Sequence, residues 1–227
     1  MPDVQIAPPA RRLSLPIISM VTSRRRYGHG AAALERLEAA VTRAAEAGVD
    51  LVQVRERDLD APRLVALVAQ LGRAVRHTQT RILVNARIDI AVIARAHGVH
   101  LPAAAPSAAR VRTAAPRDFI VGRSVHSREE AIAATAQGGC DYLTFGTVFP
   151  SLTKPAEHPA VGTDALREVC SAVSLPVLAI GGVTEARAGE IAAAGAAGVA
   201  AIGLFADALD ERRLRDTIAR MRAHFKQ

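Results

Sequence analysis

The stretch Val177-Leu-Ala-Ile-Gly-Gly-Val-Thr-Glu-Ala-Arg-Ala-Gly-Glu-Ile-Ala-Ala-Ala-Gly-Ala-Ala-Gly-Val-Ala-Ala-Ile-Gly203 contains one full period of the pattern that decides the fold. Four apolar residues, Val177–Ile180, run into a diglycine. An Ala-rich amphipathic segment, Glu185–Ala194, follows and is closed by Gly195. A second short run, Val199–Ile202, ends on Gly203. Short β-branched run, turn, helical period and second run describe a strand–helix–strand unit, whose two strands lie parallel.

Outward from this unit the rhythm repeats along the chain. The other runs are Pro16–Val21, Leu51–Arg55, Arg81–Val84, Gly98–Leu101, Phe119–Gly122 and Tyr142–Phe145. Helical patterns follow over Ala32–Ala47, Pro62–His77, Asp89–Ala96, Ala105–Ala114, Arg128–Gln137, Asp164–Ala172 and Arg212–Phe225. Several runs are almost wholly apolar, as strands buried on both faces must be. Gly48, Gly138 and Gly195 stand where helices should stop, and Thr163-Asp164 and Thr184-Glu185 where they should start. A doubly wound sheet usually ends at five or six strands. Units of roughly 25 residues with no linker between them therefore predict a single (β/α)8 TIM barrel of the α/β class over residues 16–227. A loose leader precedes it over residues 1–15.

Composition narrows the function. Half of the 227 residues are hydrophobic and only 3% are aromatic, which excludes disorder and a disulfide scaffold. The net charge of +7 rests on 29 cations, of which only Lys154 and Lys226 are lysine. The clusters Arg11-Arg12 and Arg24–Arg26 are not interleaved with stacking aromatics. They read as a solvated face or an anion-attracting rim, and no nucleic-acid partner is expected. Cys140 and Cys170 lack metal or redox spacing and read as reduced thiols of a cytoplasmic protein. No signal-peptide core and no apolar run of about 18 residues is present, so no membrane partner is expected.

In a barrel of this kind chemistry lies where strands end. Those ends carry Arg55-Glu56-Arg57-Asp58, Asn85-Ala86-Arg87, His100-Leu101, Ser124-Val125-His126, Gly146-Thr147 through Thr153-Lys154, Gly181-Gly182 and Gly203. Gly181, Gly182 and Gly203 suit a phosphate, because glycine lets backbone N–H groups approach an anion; a plain tight turn is the other reading. Lys154 can direct a compact charge at an anion. His126 precedes a helix opened by a Ser127–Glu130 capping box and is the candidate acid/base. His100 alternates with Val99 and reads as a satisfied interior histidine. No metal-ligand spacing is found.

These residues resemble the thiamine phosphate synthase/TenI superfamily. The resemblance is carried in order by Gln53-Val-Arg-Glu-Arg-Asp58, Val84-Asn85, Asp89-Ile-Ala, His97-Gly-Val-His-Leu101, Gly122-Arg-Ser-Val-His-Ser127, Asp141-Tyr, Gly146-Thr-Val-Phe-Pro-Ser-Leu-Thr-Lys154 and Ala179-Ile-Gly-Gly182. It implies the same barrel with a thiazole phosphate in its mouth. Synthases of the superfamily join a pyrimidine pyrophosphate to thiazole phosphate using Mg²⁺, held by an Asp after the strand-three Asn and another in a Gly-Gln-x-Asp stretch after strand four. Here Ala86 and Leu101-Pro-Ala-Ala-Ala-Pro-Ser107 stand at those places, and Arg57 replaces a lysine.

Mg²⁺ requires hard oxygen ligands, which alanine does not provide. The expectation is thus a TenI-like thiazole tautomerase: a metal-independent isomerase, without cofactor, that aromatises a thiazole carboxylate phosphate. His126 would be catalytic. Arg55, Arg57, Asn85, Ser124, Thr147, Thr153 and Lys154 would bind substrate, and Gly181, Gly182 and Gly203 phosphate. Two other readings stay open: a Mg²⁺-dependent thiamine phosphate synthase, and a non-catalytic thiazole-phosphate-binding regulator. A homo-oligomer is compatible with all three.

Overall fold

The computed structural model describes residues 13–150, 160–206 and 210–225. Eight strands, β1 (Ile17–Val21), β2 (Leu51–Val54), β3 (Arg81–Asn85), β4 (Gly98–Leu101), β5 (Ile120–Val125), β6 (Tyr142–Phe145), β7 (Val177–Ile180) and β8 (Gly198–Ala201), pair in parallel in chain order, and β8 returns to β1. Around this closed barrel lie α1 (Gly30–Glu46), α2 (Ala61–Ala74), α3 (Ile88–Ile93), α4 (Ala108–Ala114), α5 (Arg128–Gln137), α6 (Gly162–Ala172), α7 (Ala188–Ala193), α8 (Gly203–Ala206) and α9 (Glu211–His224). The protein is the single (β/α)8 barrel that the repeated unit predicts.

Local chemistry sets the helix starts. Asp60 accepts from the Arg63 N–H at 3.0 Å ahead of α2, whose first turn holds Pro62. Ser127 accepts from the Glu130 N–H at 3.1 Å, and the Glu130 carboxylate reaches back to the His126 N–H at 2.7 Å, so the capping box of α5 is formed. Gly48, Gly138 and Gly195 all have positive φ where helices stop.

Elsewhere the bounds differ from the expected ones. α6 opens at Gly162 with Val161 as N-cap, so Thr163 lies inside it. Thr184 caps a 3₁₀ turn, Glu185–Arg187, without a side-chain bond, and α7 starts only after that turn. β5 extends through Arg123, Ser124 and Val125. Its polar residues read as a strand end in sequence, but Ser124 finds His100 inside the barrel, Arg123 finds carbonyls of the loop after β4, and the ladder continues.

The strands are buried on both faces. Outward residues such as Ile18, Val52, Ile82 and Val199 pack with Leu37, Leu71, Leu166 and Ile191 of the helices. Ile17, Leu51, Leu83, Tyr142 and Leu178 form a separate apolar plug inside the barrel. Each such side chain contributes about 1.5–3 kcal/mol. Along each strand the next inward position lies two residues on. That raises Ser19, Gln53, Asn85, His100, Ser124 and Thr144 into a polar layer between the plug and the mouth.

Two arginines stitch the other end. Arg222 donates to the Pro16 and Gly48 carbonyls and pairs with Asp50, which accepts from the Ile18 N–H. Arg112 does the same for the Gly139 and Phe119 carbonyls and Asp141, which accepts from the Val121 N–H.

Candidate functional site

Because all eight strands run in one direction, their carboxyl ends open on one mouth. It collects Arg55, Asn85, Ser124, His126, Thr147, Gly181, Gly182 and Gly203.

The diglycine corner is built for close approach. Gly181 has φ +99° and Gly182 φ +60°. A methyl on Gly181 would lie 2.5 Å from the Thr147 Cγ2, and one on Gly182 2.5 Å from the Pro150 carbonyl oxygen. Only glycine fits both the backbone and the space. The Gly182 carbonyl accepts from Arg187 at 2.6 Å, and the Gly181 carbonyl from the Phe149 N–H at 3.1 Å. The Arg187 guanidinium also lies 4.4 Å from the centre of the Phe149 ring. Neither glycine N–H has an acceptor among the described residues, and consecutive backbone N–H groups are donors of the kind an anion takes. Beside them the Thr147 hydroxyl is buried and has no partner among the described residues. Gly203 opens α8 one strand further on.

His126 is exposed, and its Nδ1 lies 2.9 Å from the Gly146 carbonyl oxygen. A carbonyl can only accept, so Nδ1 carries the proton and Nε2 is left as a base. Arg55 is half-buried, and its own N–H donates to the Thr22 hydroxyl at 2.9 Å. Burial and then the neighbouring charge of Arg57 hold the Arg55 guanidinium below its usual pKa, against the opposing pull of Glu56. Such a strained cation gains most from an anionic ligand. Arg57 is exposed.

The carboxylates of this rim are committed. Glu56 is buried and accepts from the Thr22 hydroxyl at 2.6 Å and from the Arg24 N–H at 3.1 Å. Burial raises its pKa despite those bonds. Asp58 pairs with Arg24 at 2.7 Å and Arg25 at 3.0 Å.

Below the mouth, Gln53 donates to the Asn85 side-chain oxygen at 2.9 Å. His100 is 2% exposed; its Nδ1 lies 3.0 Å from the Tyr142 hydroxyl, and its Nε2 2.9 Å from the Ser124 hydroxyl and 3.1 Å from that of Thr144. Burial first, then the charge of Arg55, push its pKa down to about 3. At neutral pH the ring is uncharged.

After β3, Ala86 has φ +63°, a conformation that costs alanine roughly 1–2 kcal/mol and that Asp or Asn tolerates better. Its N–H donates to the His100 carbonyl at 2.8 Å. The loop after β4 is held by Arg123, which donates to the carbonyls of Ala103, Ala105 and Pro106 at 2.6–3.0 Å. Among the described residues no group of three or more His, Cys, Asp or Glu side chains could hold a metal.

The structure thus brings Arg55, Asn85, Ser124, His126, Thr147 and the three glycines to one end, with Arg57 on its exposed rim. Thr153 and Lys154 lie outside the described residues. Sequence reasoning missed the supporting roles of Thr22, Glu56, Arg123, Tyr142 and Arg187. A buried Glu inside the 53–58 stretch was the one available sign.

The family described as thiamine monophosphate synthase, TMP-TENI, matches residues 20–205. A putative thiamine-phosphate synthase of Geobacter sulfurreducens is 41% identical over 81% of this chain and 86% of its own length. A thiamine-phosphate synthase of Methanospirillum hungatei is 39% identical over 68% and 75%. Among solved structures, thiamine phosphate pyrophosphorylase from Pyrococcus furiosus superposes with a TM-score of 0.79 at 27% identity, covering 93% of this chain and 98% of that one.

Proposed function

Because the chain belongs to the thiamine monophosphate synthase (TMP-TENI) family, we propose that it is an enzyme of thiamine biosynthesis whose mouth binds a thiazole phosphate and whose chemistry is a metal-independent proton shift. The phosphate would lie against the Gly181 and Gly182 N–H groups, with Gly203 opposite. Arg55, and Arg57 at the rim, would meet a substrate carboxylate, a pairing that guanidinium makes bidentately. The reaction removes a proton from ring C2 and delivers one to the exocyclic carbon, and aromatisation drives it. Nε2 of His126 is the proton carrier; such a transfer supplies about 10²–10⁴-fold.

One observation carries this reading: the donor set where the resemblance would seat Mg²⁺. Ala86 has no carboxylate, the loop after β4 has none, and its carbonyls at Ala103, Ala105 and Pro106 accept from Arg123. Glu56 and Asp58 are already paired. These residues do not fit a hard divalent cation, so no step is routed through one.

A second reading has its own support. The relatives above are named synthases, which favours a transferase that joins a pyrimidine pyrophosphate to thiazole phosphate. Incubating the protein with each substrate set, with and without Mg²⁺, and weighing the products separates the two. Isomerisation of the thiazole carboxylate phosphate in EDTA supports the first. Thiamine phosphate formed only with Mg²⁺ overturns it.

A further inference from the structure

The interior histidine has no part in the reaction above. We infer that Tyr142, His100 and Ser124 form a hydrogen-bond chain of fixed direction, which makes Ser124 a donor toward the bound heterocycle, with His100 as a positioning residue.

The direction follows from counting donors. The Tyr142 hydroxyl is buried, and among the described residues its one partner is Nδ1 of His100 at 3.0 Å. If Nδ1 carried the ring proton, the phenolic O–H would have no acceptor, and a buried unsatisfied donor is rarely tolerated. The Tyr142 O–H therefore donates to Nδ1, and Nε2 carries the proton. Nε2 then donates to the Ser124 hydroxyl at 2.9 Å, with the Thr144 hydroxyl as a second acceptor at 3.1 Å. Thr144 turns its own hydrogen toward the Arg123 carbonyl at 3.5 Å. Among the described residues, every side-chain polar hydrogen of this chain then has an acceptor except that on Ser124, which is half-buried under the mouth.

Burial favours the uncharged ring, and so does Arg55; a charged ring would donate from both nitrogens and break the chain at Tyr142. The ligand atom above Ser124 must consequently be an acceptor, either an unprotonated ring nitrogen or a carboxylate oxygen. This last step rests on the reading of the mouth as a thiazole phosphate site; the direction of the chain does not.

Two-bond ¹H–¹⁵N correlation spectra of the full-length, ligand-free protein test the direction, with His100 assigned by His100→Gln. The expected pattern is the Nε2–H tautomer, with mixed tautomers in Tyr142→Phe. An Nδ1–H tautomer in the wild type overturns the inference without recourse to any variant. Titration with thiazole phosphate and with its carboxylate tests the donor. Ser124→Ala should bind the better of the two about tenfold more weakly, and unchanged affinity overturns the role of Ser124. If wild type binds neither compound, the reading of the mouth falls and the ligand of Ser124 with it, while the ring tautomer still decides the direction.

Discussion

Gly122 lies under the ring of Tyr142: a methyl group on it would sit 2.2 Å from Cζ and 2.4 Å from the hydroxyl oxygen. The missing side chain on β5 is what allows a tyrosine on β6 to fill the barrel interior and reach His100. Gly122→Ala must displace the ring, so it should destabilise the fold by about 2–3 kcal/mol. It should also change the near-UV signal of one of the two tyrosines. Thermal melts and circular dichroism check both; a neutral melt would mean that the ring finds another seat.

His100 predicts the acid limb of the stability curve. Its folded pKa, about 3, is far below the usual 6.5. The unfolded chain therefore takes up the proton first, and the stability from the neutral ring is present above pH 6.5 and is lost as pH falls toward 3. The slope approaches about 1.4 kcal/mol per pH unit in that window. Asp50 and Glu56, whose pKa values are raised by burial, act in the opposite sense near the carboxylate range. Urea unfolding of wild type against His100→Gln isolates the histidine: their difference should shrink with acid.

His126→Asn should keep thiazole phosphate affinity within a few-fold and lose at least about 100-fold in turnover. Calorimetry and product analysis check the two halves separately. Equal turnover would remove this ring from the chemistry.

Gly182→Ala brings a methyl to 2.5 Å from the Pro150 carbonyl at a φ of +60°. The corner must open, and inorganic phosphate and thiazole phosphate should both bind about 10–100-fold more weakly, since two charge-assisted backbone bonds are disturbed. Titration of the two ligands measures this.

Ala86→Asn should stabilise the protein by roughly 0.5–1 kcal/mol, because asparagine adopts the left-handed conformation at lower cost. A rise in the melting temperature is the readout, and a fall would show that the turn relaxes around alanine.

The barrel was legible because each unit repeats the same two periods, and the error at β5 came from inside it. Arg123 and Ser124 read as a strand end, since sequence cannot tell polar residues in solvent from a serine satisfied within a barrel and an arginine satisfied by the carbonyls of the next loop. The positions of His126 and the diglycine were legible for a different reason: a capping box marks the start of the helix that His126 precedes, and consecutive glycines mark a turn at the end of a strand. The Arg187 bridge between Phe149 and Gly182 was not. It joins two loops through a cation on a short turn, a pairing that only the folded register creates.

The seam between β1 and β8 is a consequence of chain order with a bearing on biogenesis. Ile17 to Met20 can pair with Gly198 to Ala201 only after β8 has left the ribosome, and Arg222 adds its stitch to Pro16 later still. Until then the nascent chain carries two open sheet edges, at β1 and at β7. Premature arrest of translation within α7 would leave both edges open for good, because β8, the strand that joins them, would be missing.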